Sequence, residues 1–230
     1  VPEALVARAL DAADEFFARP EPAKLRHASK AETHWRGFTP FGGGHDCSPA
    51  SARPERKETY YWGDAEAGGG GAVDAEIAAL DGACREFHAA MLRASRAVLR
   101  GLSLALGLAP DALSDRAARA PAAKVLLAAY DPVARGGACG EISCGAHTDC
   151  GFLTMLCSRG GRGLQVRRRA DGAWLALDSG AVAVAAAAAA AAAAGDGGGG
   201  ATFVCNLGDL AQRLSRGAYA STPHRVLNDS

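Results

Sequence analysis

The feature that most constrains this chain is a change of period near residue 120. Upstream, apolar residues recur every three or four positions. Downstream they come in short runs divided by glycine-bearing turns. The first pattern lines one stripe of a helix and the second fits pleated strands. Leu5, Val6, Ala9, Leu10, Ala13, Phe16 and Phe17 predict a first helix, with Pro2 suited to its opening turn and Pro20 and Pro22 ending it. Ile77, Leu80, Cys84, Phe87, Met91, Val98, Leu102 and Leu106 predict a long second helix, capped by Asp74 and ended at Gly107. A shorter helix opens at Pro110 and Asp111 and closes near Pro121. Between the first two, residues 38–71 are rich in Gly and Pro and carry Tyr60, Tyr61 and Trp62, which reads as irregular structure packed by aromatics.

Runs at 124–130, 151–157, 163–168, 174–178 and 202–207 predict strands. Turn residues such as Arg159-Gly160-Gly161 and Asp171-Gly172 separate them. Short strands in series bury their apolar faces as two facing sheets, so the expected class is α+β, with N-terminal helices before a jelly roll. Residues 1–118 form the helical region and 119–230 the jelly-roll domain, interrupted by an Ala/Gly-rich insert at 183–200 that should bulge between two strands.

Lys and Arg number 25, as do Asp and Glu, so the formal net charge is zero. Nothing in that balance attracts polyanions, which argues against nucleic acid or acidic membrane surfaces as partners. Arg167-Arg168-Arg169, beside Asp171 and Gly172, reads as the solvated end of a hairpin. No apolar stretch is both long and rich in large residues, so no membrane-spanning helix is expected, and no signal peptide is legible. A chain opening on Val1-Pro2 is expected to lack its natural N-terminus. The seven cysteines contain no Cys-x-x-Cys pair. They read as free thiols of a reducing, cytoplasmic setting rather than a zinc site, although Cys139, Cys144, Cys150 and Cys157 gather in one region.

That region also holds His147-Thr148-Asp149, and far downstream stands Ser221-Thr222-Pro223-His224-Arg225-Val226. On a strand, residues two apart share a face, so His147 and Asp149 would point together and Thr148 away. His224 from a neighbouring strand would complete two imidazoles and one carboxylate. This facial set, with open positions opposite, is the ligand pattern of non-haem iron(II) oxygenases. Arg225 should point away from it. His27, His34, His45 and His88 read as surface or internally satisfied histidines, Thr154 and Leu156 as core, and Asn206, Gly208 and Asp209 as turn-forming.

The segments 145–154, Gly163-Leu164-Gln165-Val166, Asn206-Leu207-Gly208-Asp209-Leu210 and 221–226 together resemble the isopenicillin N synthase-like family of iron(II)- and 2-oxoglutarate-dependent dioxygenases. Glu15-Phe16-Phe17, Arg36-Gly37-Phe38-Thr39-Pro40 and Lys57-Glu58-Thr59-Tyr60 look like its N-terminal region. The resemblance implies a double-stranded β-helix, with His147, Asp149 and His224 as iron ligands and Tyr130 as a hydrogen-bond donor to 2-oxoglutarate. It implies oxidation of a small organic molecule by O2, through hydroxylation or desaturation, with release of succinate and CO2. A monomer is expected. Two departures stand out. The chain ends at Ser230, before the family's Arg-x-Ser motif, whose arginine pairs with the distal carboxylate of 2-oxoglutarate, so a fragment is expected. Ala128 stands where family members often carry asparagine. An iron(II) oxidase that dispenses with 2-oxoglutarate, or an inactive truncated metal-binding β-domain, are the alternatives.

Overall fold

Val6, Ala9, Ala13 and Phe16 are buried along one face of α1 (Glu3–Phe17), at the helical spacing the sequence displays. The computed structural model describes residues 1–31, 35–43, 55–63, 75–118, 123–130, 140–159, 163–177 and 201–228. Asp74, Pro121, His34, His45, Cys139, Gly160, Gly161, Asp178 and the insert at 183–200 lie outside the described residues. The chain divides into two compact units, Val1–Phe38 with Tyr60–Leu127, and Thr39–Thr59 with Ala128–Ser230.

In the first unit, the prolines that end α1 also begin a second helical turn, α2 (Glu21–Leu25), with Pro22 where a missing N–H costs nothing. A 3-10 turn at Ala75–Ile77 leads into the long α3 (Ala78–Ala105). Gly107 follows it with φ +69°, a left-handed conformation that glycine adopts without Cβ strain. The short α4 (Ala112–Ala118) comes next. The core of this unit joins Ala13, Phe16, Phe38, Tyr60, Trp62, Leu80, Cys84, Val125 and Leu127. Trp62 donates its indole N–H to Asp81 at 2.9 Å. Burial, and then the charge of Asp81, push the Cys84 thiol up to about 12, so it stays protonated as a small apolar filler.

β1 (Gly37–Thr39), β2 (Lys57–Gly63) and β3 (Lys124–Tyr130) form a sheet in that order. Two of these strands correct the irregular reading of 38–71. Glu58, Thr59, Tyr60 and Trp62 of β2 are all buried, so polar and aromatic residues go inward together and the alternation that advertises a strand is lost.

The second unit is built from antiparallel strands. β4 (Ile142–His147), β6 (Leu164–Arg167), β7 (Trp174–Ala176) and β9 (His224–Leu227) make a sheet in the order β4-β9-β6-β7. β5 (Leu153–Leu156) pairs with β8 (Val204–Leu207). The strands at 151–157, 163–168, 174–178 and 202–207 thus form within the expected runs, each shorter than its run. The motif at 206–210 is more than a turn, since Asp209–Leu214 forms a short helix, α5. The chain therefore has mixed helices and antiparallel sheets, and because β1 and β2 precede α3 the expected order of helices first and strands second holds only in part. Among the described residues, no helix is long and apolar enough to cross a membrane.

Candidate metal centre

His147 and His224 sit directly opposite one another on the antiparallel pair β4–β9. Opposed residues on such a pair share a face, and their rings lie 4.3 Å apart between centroids. The pairing passes from Cys144↔Val226 to His147↔His224, three positions along β4 for two along β9. One extra residue therefore bulges out of β4 at Gly145-Ala146, and the bulge turns His147 onto the face of His224.

Asp149 reaches the same point by another route than the one expected. β4 ends at His147, so Thr148 and Asp149 lie beyond the strand and the two-residue alternation does not aim the carboxylate. Residues 206–210 hold it instead. Asn206 donates to Asp149 Oδ2 at 2.7 Å. Thr154, directly opposite Asn206 on β5–β8, adds a second side-chain hydrogen bond. The Asp209 N–H donates to the Asp149 carbonyl at 2.7 Å, and Leu210 N–H to that of Gly151 at 3.2 Å. Gly208 makes the clamp possible: a Cβ there would meet the Gly151 and Asp149 carbonyl oxygens at 2.3 and 2.5 Å. Local pattern assigns Thr154 to the core and Asn206 to a turn. Their opposed register, on two runs separated by the insert, is what it lacks.

The imidazoles are preset. His147 Nδ1 lies 2.8 Å from the Gly145 carbonyl and His224 Nδ1 lies 3.0 Å from the Thr222 carbonyl. A carbonyl only accepts, so each Nδ1 carries the hydrogen and each Nε2 offers a lone pair. Both Nε2 atoms face Asp149 Oδ1, at 3.8 Å from His147 and 3.7 Å from His224. Those gaps exceed hydrogen-bond length, yet two metal–ligand bonds of about 2.1 Å span up to roughly 4.2 Å. The three ligand atoms lie within 4.8 Å of one another and could hold a metal ion. Burial opposes the charged form of Asp149, but the Asn206 and Thr154 hydrogen bonds and the neighbouring His224 and His147 outweigh it and hold the carboxyl below the ordinary carboxylate range. A carboxylate so depressed stabilises the folded chain at neutral pH, and that contribution is lost as pH falls through the depressed value.

Tyr130 ends β3 at 40% exposure. Arg225 lies across β9 from His224, with Nε donating to Gln165 at 2.8 Å and its guanidinium 4.3 Å over the Trp174 ring. His27 packs edge-on to Phe16 and His88 against Trp62. Cys84, Cys144, Cys150, Cys157 and Cys205 are all unbridged.

Asn206→Ala is expected to weaken iron(II) binding by roughly 10- to 100-fold, the usual effect of removing an outer hydrogen-bond partner from a metal ligand. The same change should raise the Asp149 carboxyl pKa in a carbon-13 NMR titration. Unchanged affinity would reduce Asn206 to a turn former.

Two imidazoles and one carboxylate so placed match the donor set used by non-haem iron(II) oxygenases, and comparison with known proteins bears on the same point. Residues 1–72 match the family model for the N-terminal region of the non-haem dioxygenase in morphine synthesis. Homoarginine-6-hydroxylase 2-ODD-C23.2 of Arabidopsis thaliana is 32% identical over 136 residues, covering 59% of this chain and 32% of that protein. Homoarginine-6-hydroxylase 2-ODD-233 of Oryza sativa subsp. japonica is 28% identical over 246 residues, covering 100% of this chain and 67% of that protein. A Caulobacter crescentus protein assigned to the 2OG-Fe(II) oxygenase family superposes with a TM-score of 0.75 at 25% identity, covering 100% of this chain and 69% of that one. The chain is thus similar to proteins named as hydroxylases and 2OG-Fe(II) oxygenases. The alignment to the first of these relatives spans about a third of that protein's length.

Proposed function

We propose that this chain carries the iron-holding part of an iron(II)- and 2-oxoglutarate-dependent dioxygenase that hydroxylates or desaturates a small organic molecule. The observation that carries the reading is the convergence of His147 Nε2, Asp149 Oδ1 and His224 Nε2 on one point. Two neutral imidazoles and a carboxylate suit iron(II) and leave coordination positions free on the opposite side. The metal, when bound, supplies coupled oxidation: 2-oxoglutarate and O2 give succinate and CO2 while a substrate C–H bond is oxidised. The protein's part is to fix the ligands, exclude competing water and orient the substrate. The paired antiparallel strands β4 to β9 are read as the core of a double-stranded β-helix, with residues 1–118 as its N-terminal helical region and 119–230 as the oxygenase domain. Tyr130 is assigned as a hydrogen-bond donor to 2-oxoglutarate, on the family resemblance. A cytoplasmic monomer fits the unbridged thiols.

The experiment is anaerobic loading with iron(II), followed by O2, 2-oxoglutarate and a panel of small molecules headed by homoarginine, on which the named relatives act. Succinate formed in proportion to substrate oxidised supports the reading. Iron uptake with substrate oxidation but no succinate would replace it with an oxidase that does not use 2-oxoglutarate.

A further inference from the structure

The bulge that aims His147 creates a structural problem of its own. A bulged residue loses its ladder partner, and a buried amide N–H left without an acceptor is costly. Gly145 is buried, and β4 is the edge of its sheet. Its N–H donates to a carboxylate, Glu55 Oε1, at 3.2 Å. Glu55 is itself buried, at 7% exposure. The segment that carries it is tied to β4 by the Arg56 N–H, which donates to the Ser143 carbonyl at 3.1 Å. Glu55 Oε2 pairs with Lys57 Nζ at 2.7 Å. Lys57 also donates to Cys144 Sγ at 3.0 Å, and that sulfur lies 3.5 Å from Glu55 Oε1 and 3.8 Å from His147 Nδ1.

These contacts form one chain. Glu55 holds the amide side of Gly145, and the Gly145 carbonyl accepts from His147 Nδ1 at 2.8 Å. We infer that Glu55, with Lys57 as its counter-charge, is a positioning residue for the metal centre, acting on His147 by fixing the backbone of Gly145. The inference rests on the proposed metal site. A buried carboxylate is tolerated because Lys57 balances it. As a charged acceptor the carboxylate makes a strong bond to the Gly145 N–H, which fixes the backbone at the bulge and so the direction in which the Gly145 carbonyl, in the next peptide unit, meets His147 Nδ1. The imidazole is then held in the Nδ1–H tautomer and made the better donor at Nε2. Nothing in the composition of Glu55-Arg56-Lys57-Glu58 marks it, since such a run ordinarily lies in solvent.

The test uses two variants and two readouts. Glu55→Gln keeps the shape and an acceptor but removes the charge, and Glu55→Ala removes both. Nitrogen-15 NMR of the metal-free chain reads the His147 tautomer, and titration with Co(II) reads affinity together with the visible ligand-field spectrum. Co(II) affinity is expected to fall roughly tenfold in Glu55→Gln and up to about 100-fold in Glu55→Ala. The spectrum should shift in both, and His147 should lose its single Nδ1–H form in Glu55→Ala. Wild-type affinity, spectrum and tautomer in both variants would overturn the inference. If the unaltered chain takes up no Co(II), the metal-site reading fails. The tautomer measurement still decides whether Glu55 governs His147: a tautomer unchanged in Glu55→Ala overturns that role, and a changed one upholds it.

Discussion

Phe16→Ala is expected to destabilise the chain by about 3–5 kcal/mol, the usual cost of emptying a fully buried phenylalanine site. Phe16 is 1% exposed. Its ring meets those of Phe17, Phe38 and Tyr60 edge-on, at 5.5, 5.8 and 4.9 Å between centroids, an arrangement that adds attraction beyond the area removed from water. Because α1, β1 and β2 all contribute rings to this cluster, no single neighbour can move in to fill the cavity. A melting temperature lower by roughly 6–20 °C, followed by circular dichroism, would match that cost for a chain of this size. A loss below about 1 kcal/mol would mean that the cluster collapses around the gap and that the first unit is held elsewhere.

The second large effect concerns the metal. His147→Ala should abolish measurable iron(II) binding under anaerobic conditions. Structural metal sites with four ligands bind with about 10–16 kcal/mol, so one ligand accounts for roughly 3–4 kcal/mol, or some 10²–10³ in affinity. A three-residue set has no spare donor to make up such a loss. Cys144 Sγ is the near neighbour at 3.8 Å from His147 Nδ1, but it lies on the Nδ1 side of the ring, behind the lone pair that faces Asp149. Arg225→Ala is the matched control: its side chain engages Gln165 and Trp174, so iron binding should be unchanged. Iron stoichiometry that survives in His147→Ala would remove this residue from the ligand set.

What is legible in the sequence follows from how locally each feature is encoded. The helices α1 and α3 are readable because Val6, Ala9, Ala13 and Phe16, and likewise Leu80 and Cys84, bury one stripe at helical spacing. His147, Asp149 and His224 stand out by motif, and they do converge. Period-two alternation does not account for the convergence of His147 and Asp149, because it holds only inside a strand and β4 stops at His147. Asp149 is aimed by Thr154 together with Asn206 and the backbone at 208–210, and these last contacts lie far along the chain, where no window of local pattern reaches. The bulge at Gly145 is hidden for a related reason: a register shift is a property of two strands, and only one of them is in view when β4 is read alone. Glu55 and Lys57 escape notice because charged residues read as exposed. Here each buries the other, and their side chains are only 6% and 15% exposed.

The most direct test of the metal centre is X-ray absorption at the iron edge of the anaerobically loaded chain. The expected result is a first shell of nitrogen and oxygen at about 2.0–2.2 Å with the outer-ring scattering of two imidazoles. A shell dominated by sulfur near ~2.3 Å, or one without imidazole scattering, would contradict the assignment of His147, Asp149 and His224 as the ligands.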